Sequence, residues 1–369
     1  MTTAIELPHA KRTLANGLDV LVHEDRRVPI VAVNLWYHVG SKNEHSGRTG
    51  FAHLFEHLMF EGSQHYDGGY FAPLQQAGAL LNGSTNTDRT NYWEVVPTSA
   101  LDLALWMESD RMGYLLPALT PERFETQRGV VLNERRQNYE NRPYGMALMA
   151  LSEALFPPEH PYHWLTIGAV DDLRAMEFED VRAFFRTYYH PANASLALAG
   201  DIDTERAFAL AEQYFGDIPP ADKPQPVAAS ASVPREIRLV LEDRVELPRV
   251  YIAWHSPAMF AEGDAEADLQ GSRCRRSPRS STSASRRWRR RGRPTPRWSA
   301  GSRRPRRTSC TGCRPSAALA ASRISSTRTT CSAEIPISLQ AISNAIGARR
   351  RSPFATPCAC TSPSTAACS

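Results

Sequence analysis

Near residue 270 the chain passes from a composition that can build a core to one that cannot. Residues 271–369 hold 21 arginines, no lysine, no aspartate, no tyrosine and a single acid, Glu334. They show no apolar periodicity of either helical or strand type. The residues before them carry 22 basic against 38 acidic side chains, so the overall formal charge of +4 describes neither part. All seven cysteines, Cys274, Cys310, Cys313, Cys331, Cys358, Cys360 and Cys368, fall in the tail, and no disulfide can staple residues 1–273. A charged surface normally mixes lysine with arginine and both with acids. The Arg, Ser, Pro, Thr and Ala bias of the tail instead reads as GC-rich DNA translated out of frame, with a disordered product. The competing reading is an arginine-rich nucleic-acid-binding tail, which the charge alone permits. Cys310-Thr-Gly-Cys313 has the spacing of half a zinc knuckle, but Cys358-Ala-Cys360 does not supply the other half. No nucleic-acid partner is expected.

The first 270 residues suffice for one full core and part of another. No run of about 18 apolar residues occurs, so no membrane span is expected. The start, MTTAIELPHAKRT, lacks the basic, apolar and small-residue regions of an export signal. A cytoplasmic location is therefore expected for the chain as written, and a periplasmic one if the true start lies upstream.

Within this part the pattern predicts an α+β fold, an antiparallel sheet packed with helices. NGLDVLVHED, entered through an Asn16-Gly17 turn, and VPIVAVNLWYHVG read as strands. ALLNGSTNTDRTNYWEVVP alternates as a hairpin. Ser99 is placed to cap a helix through LDLALWMESDRMGYLL, with Asp102 at the capping-box position. Thr120-Pro121 opens a second helix, PERFETQRGVVLNERRQNY, that stops before Pro143. Helices are further expected in GMALMALSEALF, FEDVRAFFRTYY and TERAFALAEQYFG, and a strand in ASLALAGDI. Residues 219–236 have the Pro, Ala and Ser bias of a linker.

After the linker the chain repeats itself. HEDRRVPIVAVNLWYH returns as LEDRVELPRVYIAWHS, matching Glu24, Asp25, Arg26 and Trp36 with Glu242, Asp243, Arg244 and Trp254. Duplication is the economical explanation. Residues 1–218 are thus read as one domain, 237–270 as the start of a second, homologous one, and 271–369 as the tail.

The chemistry lies in GFAHLFEHLMF, residues 50–60, where only His53, Glu56 and His57 interrupt an apolar run. On a helix, positions i, i+3 and i+4 share one face, with Cβ atoms about 5–6 Å apart. Burying two imidazoles and a carboxylate without partners is costly, and a metal ion removes that cost. The string H-x-x-E-H is the inverted zinc-protease helix, in which the histidines hold zinc and the glutamate handles protons. Core histidines satisfied by backbone carbonyls are the plainer alternative. A catalytic zinc site needs a third protein ligand. Glu134 extends the apolar stripe of Val130 and Val131, whereas Glu122, Glu125 and Glu140 suit solvent. On the pattern alone Glu134 is either a ligand or one more solvated helix glutamate.

H-x-x-E-H at His53–His57, with RGVVLNERRQ carrying Glu134 farther on, resembles the M16 (pitrilysin, insulinase and mitochondrial processing peptidase) zinc metallopeptidases. VGSKNEHSGRTGFAHLFEHLMFEGS, LNGSTNTDRTNYWEVVP, HPYHWLTIG and FRTYYHPANASLALAGDI resemble family blocks in the same order, from Leu14 to about Pro257. The resemblance implies that His53, His57 and Glu134 bind Zn²⁺ and that Glu56 is the general base. It also implies that Asn82, Gly83 and Ser84 lie on an edge strand that takes up peptide backbone. Family members work as two halves, so a second M16 half or subunit is the implied partner and peptides or unfolded polypeptides the implied substrates. Gln127, one heptad before Glu134, stands where many relatives carry an acid. A zinc metalloendopeptidase is the reading this supports. The alternative is a non-catalytic or crippled partner subunit of an M16 pair.

Overall fold

The computed structural model describes residues 7–233, 235–259 and 261–267. The tail lies outside the described residues, and with it the expectation of an out-of-frame, disordered product. Described residues up to His255 form one compact unit, and the described residues 256–259 and 261–267, which hold a short helical turn, belong to a second.

The first unit is a six-stranded sheet covered by helices. Strands β1 (Ala10–Thr13), β2 (Asp19–Glu24) and β3 (Ile30–Tyr37) precede helices α1 (Phe51–Leu58) and α2 (Phe71–Gln76). A hairpin of β4 (Leu80–Thr85) and β5 (Thr90–Pro97) leads to the long helices α3 (Leu101–Ala118) and α4 (Pro121–Arg135). Then come α5 (Ala147–Leu155), α6 (Val170–Ala175), α7 (Phe178–Tyr188), β6 (Ala194–Gly200) and α8 (Thr204–Phe215). The strand order is β1-β2-β6-β3-β5-β4. Four of the five pairings are antiparallel, and β2 runs parallel to β6, with Val20 opposite Leu196. The expected antiparallel sheet is therefore mixed. The parallel pair arises because the chain leaves β3, builds seven helices and the hairpin, and returns between β2 and β3.

Alternation along β3 sets the layers. Val31, Val33, Leu35 and Tyr37 are buried under the helices, while Ile30 and Trp36 are exposed on the other face. That open face carries a polar ladder: Ser84 Oγ donates to Asn91 Oδ1 at 2.8 Å, and Asn91 Nδ2 donates to Asn34 Oδ1 at 3.0 Å.

Most expected elements form, with instructive departures. Ser99 does not cap α3: Thr98–Ala100 form a 3₁₀ turn, and Ala100 is the N-cap residue, without a side-chain bond. Asp102 instead accepts from the Tyr214 hydroxyl at 2.8 Å, fastening α3 to α8. Thr120 does cap α4, its hydroxyl accepting from Arg123 N. The helix ends at Arg135, earlier than expected, in a π turn over Arg136–Glu140. The repeat of the β3 sequence forms no strand: the described residues of 219–259 contain neither helix nor strand. An isolated pair of strands lacks the packing surface that makes a sheet stable. Val240, Leu247, Val250, Ile252 and Trp254 are consequently exposed. Among the described residues no helix is long and apolar enough to cross a membrane.

Beneath α1 lies a buried ionic cluster. Glu94, Glu108 and Arg111 are each at most 1% exposed. Arg111 Nε donates to Glu108 Oε2 at 2.9 Å and Nη2 to Oε1, and the guanidinium lies over the rings of Tyr70 and Tyr92 at 3.9 and 4.1 Å. Burial pushes the Glu94 carboxyl well above its ordinary value, and the adjacent Glu108 pushes it the same way.

Candidate metal centre

Helix α1 begins without a side-chain cap of its own, at Gly50 in the left-handed region with φ 97°. The buried Glu44 supplies the missing acceptor, its oxygens taking hydrogen bonds from Gly50 N at 2.9 Å and Ala52 N at 2.8 Å. A carboxylate there also faces the positive end of the helix dipole. Burial nevertheless pushes the Glu44 carboxyl up to about 8, against the pull of the amides it accepts from. At the other end, Arg111 Nη1 approaches Met59 O at 3.5 Å. Phe51, Ala52, Leu54, Phe55 and Leu58 are buried, which leaves His53, Glu56 and His57 on the remaining face.

That face meets α4. His53 Nε2 and His57 Nε2 stand 3.5 and 3.4 Å from the same oxygen, Glu134 Oε2. The two imidazoles are nearly perpendicular, at 87° with centroids 4.9 Å apart. The three ligand atoms all lie within 4.8 Å of one another, the one group of this kind among the described residues. Val131 is buried and one turn before Glu134, but Val130 is exposed, so only Val131 belongs to the expected stripe. Glu134 Oε1 accepts from Asn138 Nδ2 at 3.3 Å, inside the π turn.

The donor set fits zinc. Tetrahedral bonds of about 2.0–2.1 Å place neighbouring ligand atoms about 3.3–3.4 Å apart, close to the two histidine–glutamate distances of 3.5 and 3.4 Å. Metal ligation requires neutral histidine and ionised carboxylate, and the surroundings of His53 and Glu134 push each in that direction. Burial holds the His53 imidazole below its ordinary value, and the hydrogen bond from His57 holds Glu134 below the usual carboxylate range. His53 Nδ1 is buried without a hydrogen-bond partner, so packing rather than a bond orients this ring.

Glu56 takes no part in the convergence. It is half-buried on the same face, and no hydrogen bond to its carboxylate is made among the described residues. Its charge is felt by Arg89, Tyr189 and His53. Gln127 bonds through Nε2 to Glu61 Oε1 at 2.6 Å, so a carboxylate does approach that position, but from α1's own end.

Asn82, Gly83 and Ser84 lie on β4, the outermost strand of the sheet. A Cβ at Gly83 would stand 3.0 Å from both Phe60 Cζ and Tyr92 Cδ1, so the strand presses against the end of α1. Arg89 Nη1 donates to Ser84 O at 2.7 Å. Nothing in the sequence pattern revealed Glu44, Arg89 or Arg111 as parts of this neighbourhood: Glu44 and Arg89 bond backbone groups a few residues away through loop conformations that carry no periodic signal, and Arg111 reaches it through a salt bridge inside an ordinary charged run.

A mixed sheet whose first helix carries H-x-x-E-H against a glutamate of a later helix is the architecture of a zinc-peptidase domain. Residues 19–160 match the family model described as Insulinase (Peptidase family M16), and residues 175–270 match Peptidase M16 inactive domain. Zinc protease PqqE of Helicobacter pylori is 31% identical over 256 residues, covering 68% of this chain and 57% of that protein. Mitochondrial-processing peptidase subunit beta of Caenorhabditis elegans is 25% identical over 252 residues, covering 68% of this chain and 52% of that one. The crystal structure of a protease from Helicobacter pylori superposes with a TM-score of 0.57 at 32% identity, over 61% of this chain and 54% of that one. The chain belongs to the M16 peptidase family. It spans little more than half the length of these relatives.

Proposed function

We propose that the chain is a zinc-dependent endopeptidase domain acting on peptides or unfolded polypeptides. The observation that carries this is the meeting of His53 Nε2, His57 Nε2 and Glu134 Oε2 within 4.8 Å. When bound there, zinc supplies Lewis acidity, polarising a peptide carbonyl and acidifying a water. The residues do the rest. His53, His57 and Glu134 hold the ion, and Glu56 takes the proton of the attacking water and delivers it to the leaving amine. The outer edge of β4 at Asn82–Ser84 binds substrate backbone as an added strand. The names of the relatives, zinc protease and processing peptidase, support the same reaction class. In this reading residues 1–218 are the zinc-binding domain, 219–236 a linker and 237–270 the opening of a second M16 domain.

Among the described residues no strand pairs with β4's outer edge. Catalysis requires the peptide to be held within about half an ångström of its productive position. Hydrolysis of a short quenched peptide by the chain alone is thus expected to be slow and abolished by a zinc chelator. A matching M16 half supplied as a separate subunit is expected to raise it by orders of magnitude. Full activity of the chain alone would contradict the need for a covering half, and activity indifferent to chelation would contradict the zinc mechanism.

A further inference from the structure

The three convergent groups sit on two helices, so the separation of α1 from α4 decides whether they meet. Arg135, the buried neighbour of Glu134, donates from Nη1 to the carbonyl of Gly168 at 2.6 Å and from Nε to Glu140 Oε1 at 3.2 Å. Gly168 is left-handed, with φ 76°, and backs directly onto the start of α1. A Cβ at Gly168 would stand 2.6 Å from Gly50 Cα and 2.8 Å from Thr49 O. The same loop is tied down by Thr49, whose Oγ1 donates to Asp172 Oδ2 at 2.7 Å and accepts from Ala169 N at 2.8 Å. A continuous strut therefore runs from the residue beside Glu134, through one carbonyl, to the residue that opens the histidine helix.

We infer that Arg135, acting through Gly168, is a positioning residue that sets the spacing of α4 from α1 and so presents Glu134 to the two histidines. This rests on the zinc reading above. The guanidinium presents a planar, rigid fork of donors that here holds a carbonyl and a carboxylate at once, and a buried one held by both is not an ordinary surface charge. The gap at Gly168 is equally specific, because an added methyl group would have to push backbone rather than a flexible side chain.

The test uses the full chain and zinc itself, with affinity measured by competition against a chelating dye. Arg135→Gln and Gly168→Ala are each expected to weaken zinc binding by about 10- to 100-fold, the loss usual when a group supporting a ligand is removed. The cobalt-substituted variants are expected to show an altered visible spectrum. The double variant is expected to lose less than the two single losses combined, because both act through one contact. His57→Ala serves as the reference. If it keeps zinc, the metal site itself is misplaced. If it loses zinc while both Arg135→Gln and Gly168→Ala bind with wild-type affinity and spectrum, the positioning role alone is overturned, even where thermal stability of the metal-free chain falls. Should Arg135→Gln fail to fold, Gly168→Ala decides the matter by the same readout.

Discussion

Glu56→Gln is expected to keep its zinc and to lose about 10²- to 10⁴-fold of the peptidase rate, the range that a positioned general base supplies. The separation of the two effects follows from the geometry. Glu56 shares a helix face with the histidines, yet the oxygen that meets both imidazoles belongs to Glu134, at 3.4 and 3.5 Å. Glutamine preserves the size of the side chain and removes only its capacity to accept a proton. Glu134→Gln is expected to do the reverse, weakening the metal first and activity as a consequence. Metal content and the turnover of a quenched peptide, measured on the same preparations with the partner half present, distinguish the two. Loss of zinc from Glu56→Gln with Glu134→Gln unaffected would mean that the two glutamates have exchanged roles.

Arg111→Met is expected to destabilise the fold by about 3–5 kcal/mol, the usual result of leaving one member of a buried ion pair without the other. Glu108 and Glu94 are both at most 1% exposed, Arg111 is bonded to Glu108, and its charge also acts on Glu94. Methionine fills much of the volume between Tyr70 and Tyr92 but offers Glu108 no donor. Combining Arg111→Met with Glu108→Leu is expected to recover most of the loss, since well-packed apolar residues can replace a buried pair with little penalty. Urea unfolding measures both. A loss below about 1 kcal/mol for the single variant would show that the cluster is less desolvated than its burial indicates.

Those charges mark the boundary of what the sequence makes legible. Helix α1, the β4–β5 hairpin and α8 are local patterns: an apolar run broken on one face, an alternation with turn residues, an apolar stripe at helical spacing. Each was readable because its neighbours in sequence are also its neighbours in space. Nothing in the run MESDR of α3 announces that Glu108, Asp110 and Arg111 are buried, because Glu108 and Arg111 pair within the helix while the groups that enclose them come from other elements: Tyr70 and Tyr92 over Arg111, Ser63 and His65 on Asp110. Strand β1, Ala10–Thr13, is polar and at the sheet edge, so it carries no hydrophobic signal. The parallel pairing of β2 with β6 depends on where the chain returns after the helices, which no local pattern encodes. The site divides in the same way. H-x-x-E-H announces itself by spacing, whereas the pattern alone left Glu134 as either a ligand or a solvated glutamate, only the family resemblance implied the ligand, and in the structure the packing of α4 on α1 brings its Oε2 to both imidazoles.

If His53, His57 and Glu134 together form one zinc site, the zinc content of the purified chain set beside that of His57→Ala reports it without any assay of activity. Elemental analysis is expected to find about one zinc per wild-type chain, as three protein ligands of this type require, and little or none in the variant. Equal zinc in the two proteins would contradict the assignment of the site.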